Sequence, residues 1–176
     1  WPSSIPVTLV IKSINGERHE KECNRLKNKI GGDSRILQIH EVLPHSINTA
    51  LMKCCDCYVS LHRSEGFGLT LAEAMLMGKP VITTGYSGNM DFTTSATALL
   101  VDYELVPVQP GDYPFSHGEM WAEPNVQQAC DYMLDLVEDS TFAQSLAQKG
   151  EEMIRTSFST TTMGDRYKKR LSNLLR

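Results

Sequence analysis

Residues 60 to 84, SLHRSEGFGLTLAEAMLMGKPVITT, leave little freedom in how this chain folds. An apolar run from Cys57 to Leu61 ends in polar residues, the turn Glu65-Gly66-Phe67-Gly68 follows, and a helical pattern continues to about Met77. Gly78 and Pro80 then stop the helix and pass the chain to Val81-Ile82-Thr83. Strand, turn, helix and strand thus follow one another with almost no slack. A turn rich in glycine lets backbone N–H groups approach an anion, and the helix N-terminus adds unpaired donors and the positive end of the dipole. The stretch reads as a phosphate seat.

The flanking sequence extends the same alternation. Val7 to Lys12 is a β-branched strand, residues 16 to 30 form a charged surface helix with Cys23, Leu26 and Ile30 at helical spacing, and Arg35 to His40 is a second strand. Pro44 opens a short helix carrying Ile47, Leu51 and Met52. Strands at 57 to 61, 80 to 84 and 98 to 101 follow, the last two separated by a loop around Gly85 to Asp91. The expected fold class is α/β, a Rossmann-like parallel sheet with helices on both faces, in which ligands bind beyond the strand C-termini. From Tyr103 to Pro124 the pattern breaks into a long loop, residues 103–124, whose Tyr113, Phe115 and Trp121 suggest packing on something. Helical patterns over about 124 to 138, 140 to 155 and 160 to 175 make residues 125–176 a set of C-terminal helices, the last amphipathic through Met163, Tyr167, Leu171 and Leu174.

Composition narrows the function classes. With 176 residues, 41% of them hydrophobic, the expectation is one domain over residues 1–176 around one core. A formal net charge of -4 argues against a nucleic-acid partner. The cluster Arg166, Lys168, Lys169 and Arg170 reads as one solvated helix face. No run of about 18 apolar residues is present, and the start Trp1-Pro2-Ser3-Ser4 does not read as a signal peptide. Five cysteines, an odd number and unevenly spread, fit a reducing compartment, and a cytoplasmic location is expected. Cys54 and Cys57 form a C-x-x-C with no second pair or histidine pair at zinc spacing, so they read as small buried side chains rather than as a metal or redox pair.

Two carboxylates accompany the seat. Glu73 is the one charged residue of LTLAEAMLM. It is either part of a thin solvated stripe with Thr70 and Met77 or, because helical side chains lean toward the N-terminus, a group that reaches back to accept from a vicinal diol. Glu65 is either an exposed turn acid or a polar contact to whatever the phosphate carries.

Together they stand as E-x(7)-E, and E-G-F-G-L-T-L-A-E-A-M-x-x-G-K-P-V-I resembles the signature of retaining glycosyltransferases of the GT-B fold, especially the family-4 group. The element order from Val7 to Arg176 is similar to the C-terminal, donor-binding domain of that family. The resemblance implies a UDP- or GDP-sugar donor, transfer with retained anomeric configuration, no cofactor and no metal. It implies Glu65 as the catalytic contact to the donor sugar, the backbone of Gly66, Phe67, Gly68 and Leu69 as holder of sugar hydroxyls and diphosphate, and Glu73 on the ribose. The loop at 85 to 91 resembles the family's glycine-rich loop before an acidic residue, with Gly88 in place and Asp91 where glutamate is usual. Val42-Leu43-Pro44 would lie near the base. The family's Gly-Arg turn and following lysine, directed at the diphosphate, have no counterpart here. The expectation is therefore a piece of a larger two-domain enzyme lacking its first β-α unit and its N-terminal acceptor domain, through which any peripheral membrane contact would be made. The alternatives are a non-catalytic nucleotide-binding or interaction module, and a GT-B epimerase or phosphorylase.

Overall fold

Two short parallel sheets carry most of the strands, one in each of the two compact units into which the chain divides, Trp1–Ala50 and Leu51–Arg176. The structure is a computed structural model and describes residues 5–175. In the first unit β1 (Leu9–Lys12) pairs in parallel with β2 (Ile36–Ile39), Leu9 opposite Ile36 and Lys12 opposite Ile39. A 3-10 turn at Gly16–Arg18 and helix α1 (Glu20–Ile30) make the crossover, and Gly31 closes α1 in the left-handed region, its N–H donating to the Lys27 carbonyl. Asp33 fixes the entry to β2 by accepting from the Arg35 backbone N–H at 3.0 Å and from its guanidinium at 3.0 and 2.8 Å. Those guanidinium bonds first, and the backbone N–H next, lower its carboxyl from 3.8 to about 2. None of the described residues of this unit is buried.

Helix α2 (His45–Cys54) runs across the division. The second unit is built on β3 (Tyr58–Ser60), β4 (Val81–Thr84) and β5 (Leu99–Val101), in the order β3-β4-β5 and all parallel. Helix α3 (Leu69–Leu76) crosses from β3 to β4. The central strand β4 is buried along its whole length, and alternation sends Val81 to one face and Ile82 to the other. Val81 joins Leu71, Ala72, Ala74 and Met75 of α3, with Phe92, Ala98 and Ile154. Ile82 joins Val101, Ala129, Leu136 and Leu146. The triplet is therefore covered on both faces, α3 on one side and α4 (Val126–Glu138) on the other. Helix α5 (Ser140–Ser157) serves both, with Leu146 in one cluster and Ile154 in the other. Gly150 permits its close approach, since a Cβ there would lie 3.1 Å from the Thr97 carbonyl oxygen and 3.2 Å from Met75.

The expected α/β arrangement of parallel strands with helices on both faces is thus present, carried as two sheets rather than one. The last three helices begin where polar side chains cap them. Asn125 accepts from Gln128 N–H, Asp139 from Phe142 N–H, and Ser159 from Thr162 N–H at the start of α6 (Thr160–Leu174). On α6 Tyr167, Leu171 and Leu174 remain exposed, as do Arg166, Lys168, Lys169 and Arg170, with the Arg166 guanidinium 5.7 Å from the Phe158 ring centre. Among the described residues no helix is long and apolar enough to cross a membrane.

The expectation of an unbroken loop over 103–124 is corrected. Its two ends pair as an antiparallel hairpin, β6 (Tyr103–Pro107) with β7 (Met120–Pro124), Val106 opposite Trp121. Pro107 and Pro124 sit at strand ends, where the missing N–H costs no ladder bond, and for that reason they do not break the pairing. The loop proper is 108–119.

Met75 is fully buried where α3 meets α5. Met75→Ala is expected to lower stability by about 2–5 kcal/mol, read as a lower urea midpoint at unchanged slope. An unchanged midpoint would show that α3 is not clamped by this core.

Candidate functional site

The seat forms where β3 ends and α3 begins. Gly68, the residue before the helix, is buried and holds φ 91 and ψ 51, a conformation that favours glycine. Space demands glycine as well: a Cβ there would come within 2.9 Å of Leu71 Cδ1 and 3.4 Å of both Glu65 Cγ and Asn89 Cβ. No side chain caps α3. The first-turn amides of Leu69, Thr70 and Leu71 therefore have neither an intrahelical acceptor nor a side-chain cap, and they stand at the positive end of the helix dipole.

The loop after β4 lies directly on the turn. Gly88 N–H donates to the Glu65 carbonyl at 3.0 Å, and a Cβ on Gly88 would overlap the Gly66 carbonyl oxygen. Ser87 Oγ donates to the same Glu65 carbonyl at 2.7 Å and accepts from Glu65 N–H at 3.2 Å. Ser87 does so at φ 79 and ψ -153, a region almost confined to glycine and costing about 1–3 kcal/mol for other residues. The loop is anchored from behind by His62 and Asn89. His62 Nε2 lies 3.0 Å from the Tyr86 carbonyl and 3.2 Å from Asn89 Oδ1, both acceptors, which assigns the ring proton to Nε2 and leaves Nδ1 to accept from Ser60 Oγ at 3.3 Å. Fully buried Asn89 donates through Nδ2 to the Thr84 carbonyl and to Thr93 Oγ1, each at 3.0 Å.

Glu65, Gly66, Gly68 and Gly88 are thus packed into one unit. Glu65 is half-buried, and its Oε1 accepts from the Gly66 N–H at 3.1 Å, so a ligand oxygen reaching that amide must displace the carboxylate. Phe67 acts as a pin: its ring packs on buried Phe92 at 5.0 Å and on Phe158 at 5.8 Å. Leu69 is 65% exposed at the first helical position. Glu73 stands one turn further along α3 and is partly exposed, because Leu71, Ala72, Ala74 and Met75 take the buried face and leave the stripe through Leu69 and Glu73 open.

Sequence reasoning missed His62, Ser87, Asn89 and the hairpin. The Arg63 carbonyl accepts from Ala122 N–H at 2.9 Å, its guanidinium pairs with Glu123 at 2.5 Å and lies 4.6 Å from the Trp121 ring centre, and Tyr86 packs on Tyr103 at 4.9 Å. Of the three aromatic side chains expected to pack, Trp121 does so, against a cation beside the turn, whereas Tyr113 and Phe115 stand exposed, a correction to that expectation. Lys79 of the G-K-P run is likewise engaged, donating to the Lys53 carbonyl at 2.8 Å. Among the described residues no three His, Cys, Asp or Glu side chains are grouped to hold a metal ion. Cys54 is exposed at the end of α2, whereas burial first, and then neighbouring Cys55 and Asp56, push the Cys57 thiol up to about 12.

Gly88→Ala is expected to destabilise by about 3 kcal/mol, the upper end of overpacking costs, and to increase amide exchange at Gly66. A wild-type melting temperature in that variant would contradict the contact. With maleimide at pH 8, Cys54 is expected to label readily and Cys57 only on unfolding. The Cys57 thiol stays protonated in the folded state while the unfolded thiol ionises near 9, so its contribution to stability is lost as pH rises from about 9 toward about 12.

Comparison with known proteins places the chain in a family. The model for glycosyl transferases group 1 matches residues 6–153. The trehalose synthase of Pyrococcus horikoshii is 25% identical over 125 residues, covering 71% of this chain and 25% of that protein. Among solved structures, Anabaena Alr3699/HepE in complex with UDP and glucose superposes with a TM-score of 0.68 at 20% identity, over 95% of this chain and 41% of that one. Sucrose-phosphate synthase from Thermosynechococcus elongatus gives 0.68 at 18% identity, over 94% of this chain and 39% of that one. The C-terminal domain of the group 1 glycosyl transferase LpcC from Francisella tularensis gives 0.60 at 22% identity, over 82% of this chain and 65% of that one. At such identities the structures show the fold, the GT-B fold that the resemblance implied. The chain spans a quarter of the length of the trehalose synthase and about two fifths of the first two structures. With most of its length matched by the family model, the chain belongs to the glycosyl transferases group 1 family.

Proposed function

We propose that this chain is the donor-binding part of a retaining glycosyltransferase, one that takes a sugar from a UDP- or GDP-sugar and passes it to an acceptor held by residues outside this chain. The observation that carries the reading is the uncapped N-terminus of α3, opening at the strand C-termini beneath a half-buried carboxylate. Departure of a nucleoside diphosphate builds negative charge. The amides of Gly66, Phe67, Gly68 and Leu69 and the helix dipole are oriented before the reaction to stabilise that charge without a metal ion. Glu73, leaning back along α3, accepts from the ribose diol. Glu65 meets the donor sugar beside the bond that breaks, after its carboxylate leaves the Gly66 N–H. Gly88 closes the seat on the side of the diphosphate.

Arg63 and Lys79 are engaged elsewhere, which supports a supply of diphosphate-neutralising cations from outside this chain. Alr3699/HepE in complex with UDP in one structure and with UDP-glucose in another favours a uridine nucleotide as the first to try. Cysteines that are free in the described structure suit a cytoplasmic enzyme.

The test is a panel of UDP- and GDP-sugars with the full-length protein, with the anomeric configuration of the product read by NMR. Glu65→Gln is expected to lower kcat on the order of 100-fold or more. Glu73→Gln is expected to raise the donor KM by roughly 10- to 100-fold, the loss of a charged hydrogen-bond acceptor, with a smaller change in kcat. Wild-type activity in both variants, or an inverted product, would remove the assignment.

A further inference from the structure

Ser87 occupies a backbone conformation, φ 79 and ψ -153, that glycine enters freely and serine does not. A glycine there would give the same path for the chain with less strain. What it would not give is the hydroxyl. That hydroxyl is committed at both ends to a single residue, donating to the Glu65 carbonyl at 2.7 Å and accepting from the Glu65 N–H at 3.2 Å. Holding the N–H and the C=O of one residue fixes the backbone on both sides of its Cα, and so fixes the direction in which its side chain leaves. Gly88 N–H adds a second bond to the same carbonyl, and His62, through the Tyr86 carbonyl, and buried Asn89 keep the loop from yielding.

We propose that Ser87 is a positioning residue for Glu65: its hydroxyl brackets the Glu65 backbone and aims the carboxylate at the donor sugar. The inference rests on the reading of Glu65 given above. Ser87 touches no reacting atom and acts through Glu65, by the precision of its placement, where errors near 1 Å cost on the order of 100-fold in rate.

The test compares Ser87→Gly, Ser87→Ala and Glu65→Gln, singly and as the Ser87→Gly/Glu65→Gln pair, in the full-length protein with UDP-glucose and GDP-mannose as donors. Ser87→Gly is expected to melt at or above the wild-type temperature, since it relieves strain, yet to lose kcat by roughly 10- to 100-fold with donor KM within about twofold. Ser87→Ala is expected to lose as much activity and also to melt lower. In the Glu65→Gln background Ser87→Gly is expected to cost nothing further, because both act through one group. Hydrogen exchange of the peptide carrying the Glu65 amide, which needs no donor, is expected to rise at least tenfold in both Ser87 variants. Wild-type kcat in Ser87→Gly overturns the proposal, since a purely structural position is one glycine can fill. Multiplied losses in the pair, or unchanged exchange at Glu65, overturn it as well. A fully active Glu65→Gln removes the functional reading itself, whereas an impaired Glu65→Gln beside an active Ser87→Gly removes only the role of Ser87.

Discussion

The close contact between two loops, backbone on backbone, is the constraint from which the site follows. Gly88 lies so near the Gly66 carbonyl that no side chain fits between them, and the Glu65 carbonyl accepts from both Gly88 N–H and Ser87 Oγ. Hydrogen bonds between main chains hold position more tightly than side-chain contacts, because few torsions remain free on either partner. The 65–68 turn is therefore held from above by the loop after β4 and from below by the Phe67 ring on Phe92 and Phe158. A turn fixed on both sides presents its amides in one arrangement, which a site working through preorganised dipoles requires.

That contact depends in turn on the core. β4 delivers the loop at 85–91, β3 delivers the turn, and the two are adjacent in register, Ser60 opposite Thr83. Both strands are short, so the placement of their ends is set by packing more than by ladder length. Val81 and Ile82, fully buried on opposite faces, lock β4 against α3 and α5 on one side and against the α4 cluster on the other. The hairpin β6-β7 then fastens the outside of the turn through Arg63 and the outside of the loop through Tyr86. Strain at Ser87 is tolerated because so many neighbours fix the path of the chain around it.

Much of this was legible in the sequence, and what was legible shares a physical origin. The strand, turn, helix and strand of 57 to 84 could be read because glycine and proline punctuate it and the apolar pattern changes period between its parts, and each observed boundary falls within two residues of expectation. The fold class followed from the alternation. The hairpin was hidden because four prolines and two glycines in 103–124 look like loop chemistry, and only pairing in three dimensions shows that Pro107 and Pro124 stand at strand ends. The resemblance concerns the backbone of Phe67, whereas its ring is the pin under the turn, a packing fact that a linear motif does not carry. His62, Ser87 and Asn89 were invisible for a similar reason. A serine in a glycine conformation leaves no mark in composition or periodicity.

The engaged cations sharpen the mechanism. Arg63 stands two residues from Glu65, close enough in sequence to have served the diphosphate, yet its guanidinium is held between Glu123 and Trp121. A guanidinium paired and stacked in this way keeps its charge near the seat while losing the freedom to follow a ligand. It therefore acts as a fixed positive background that also ties the hairpin to the turn. In the proposed reaction the charge that moves is the charge leaving with the nucleotide, and the groups on this chain that meet it are amides that do not move. A site built so can organise a leaving group, but it does not by itself neutralise two phosphates. In the proposed enzyme the remaining phosphate charge would have to be met by groups other than these amides and other than Arg63 and Lys79, which are already engaged.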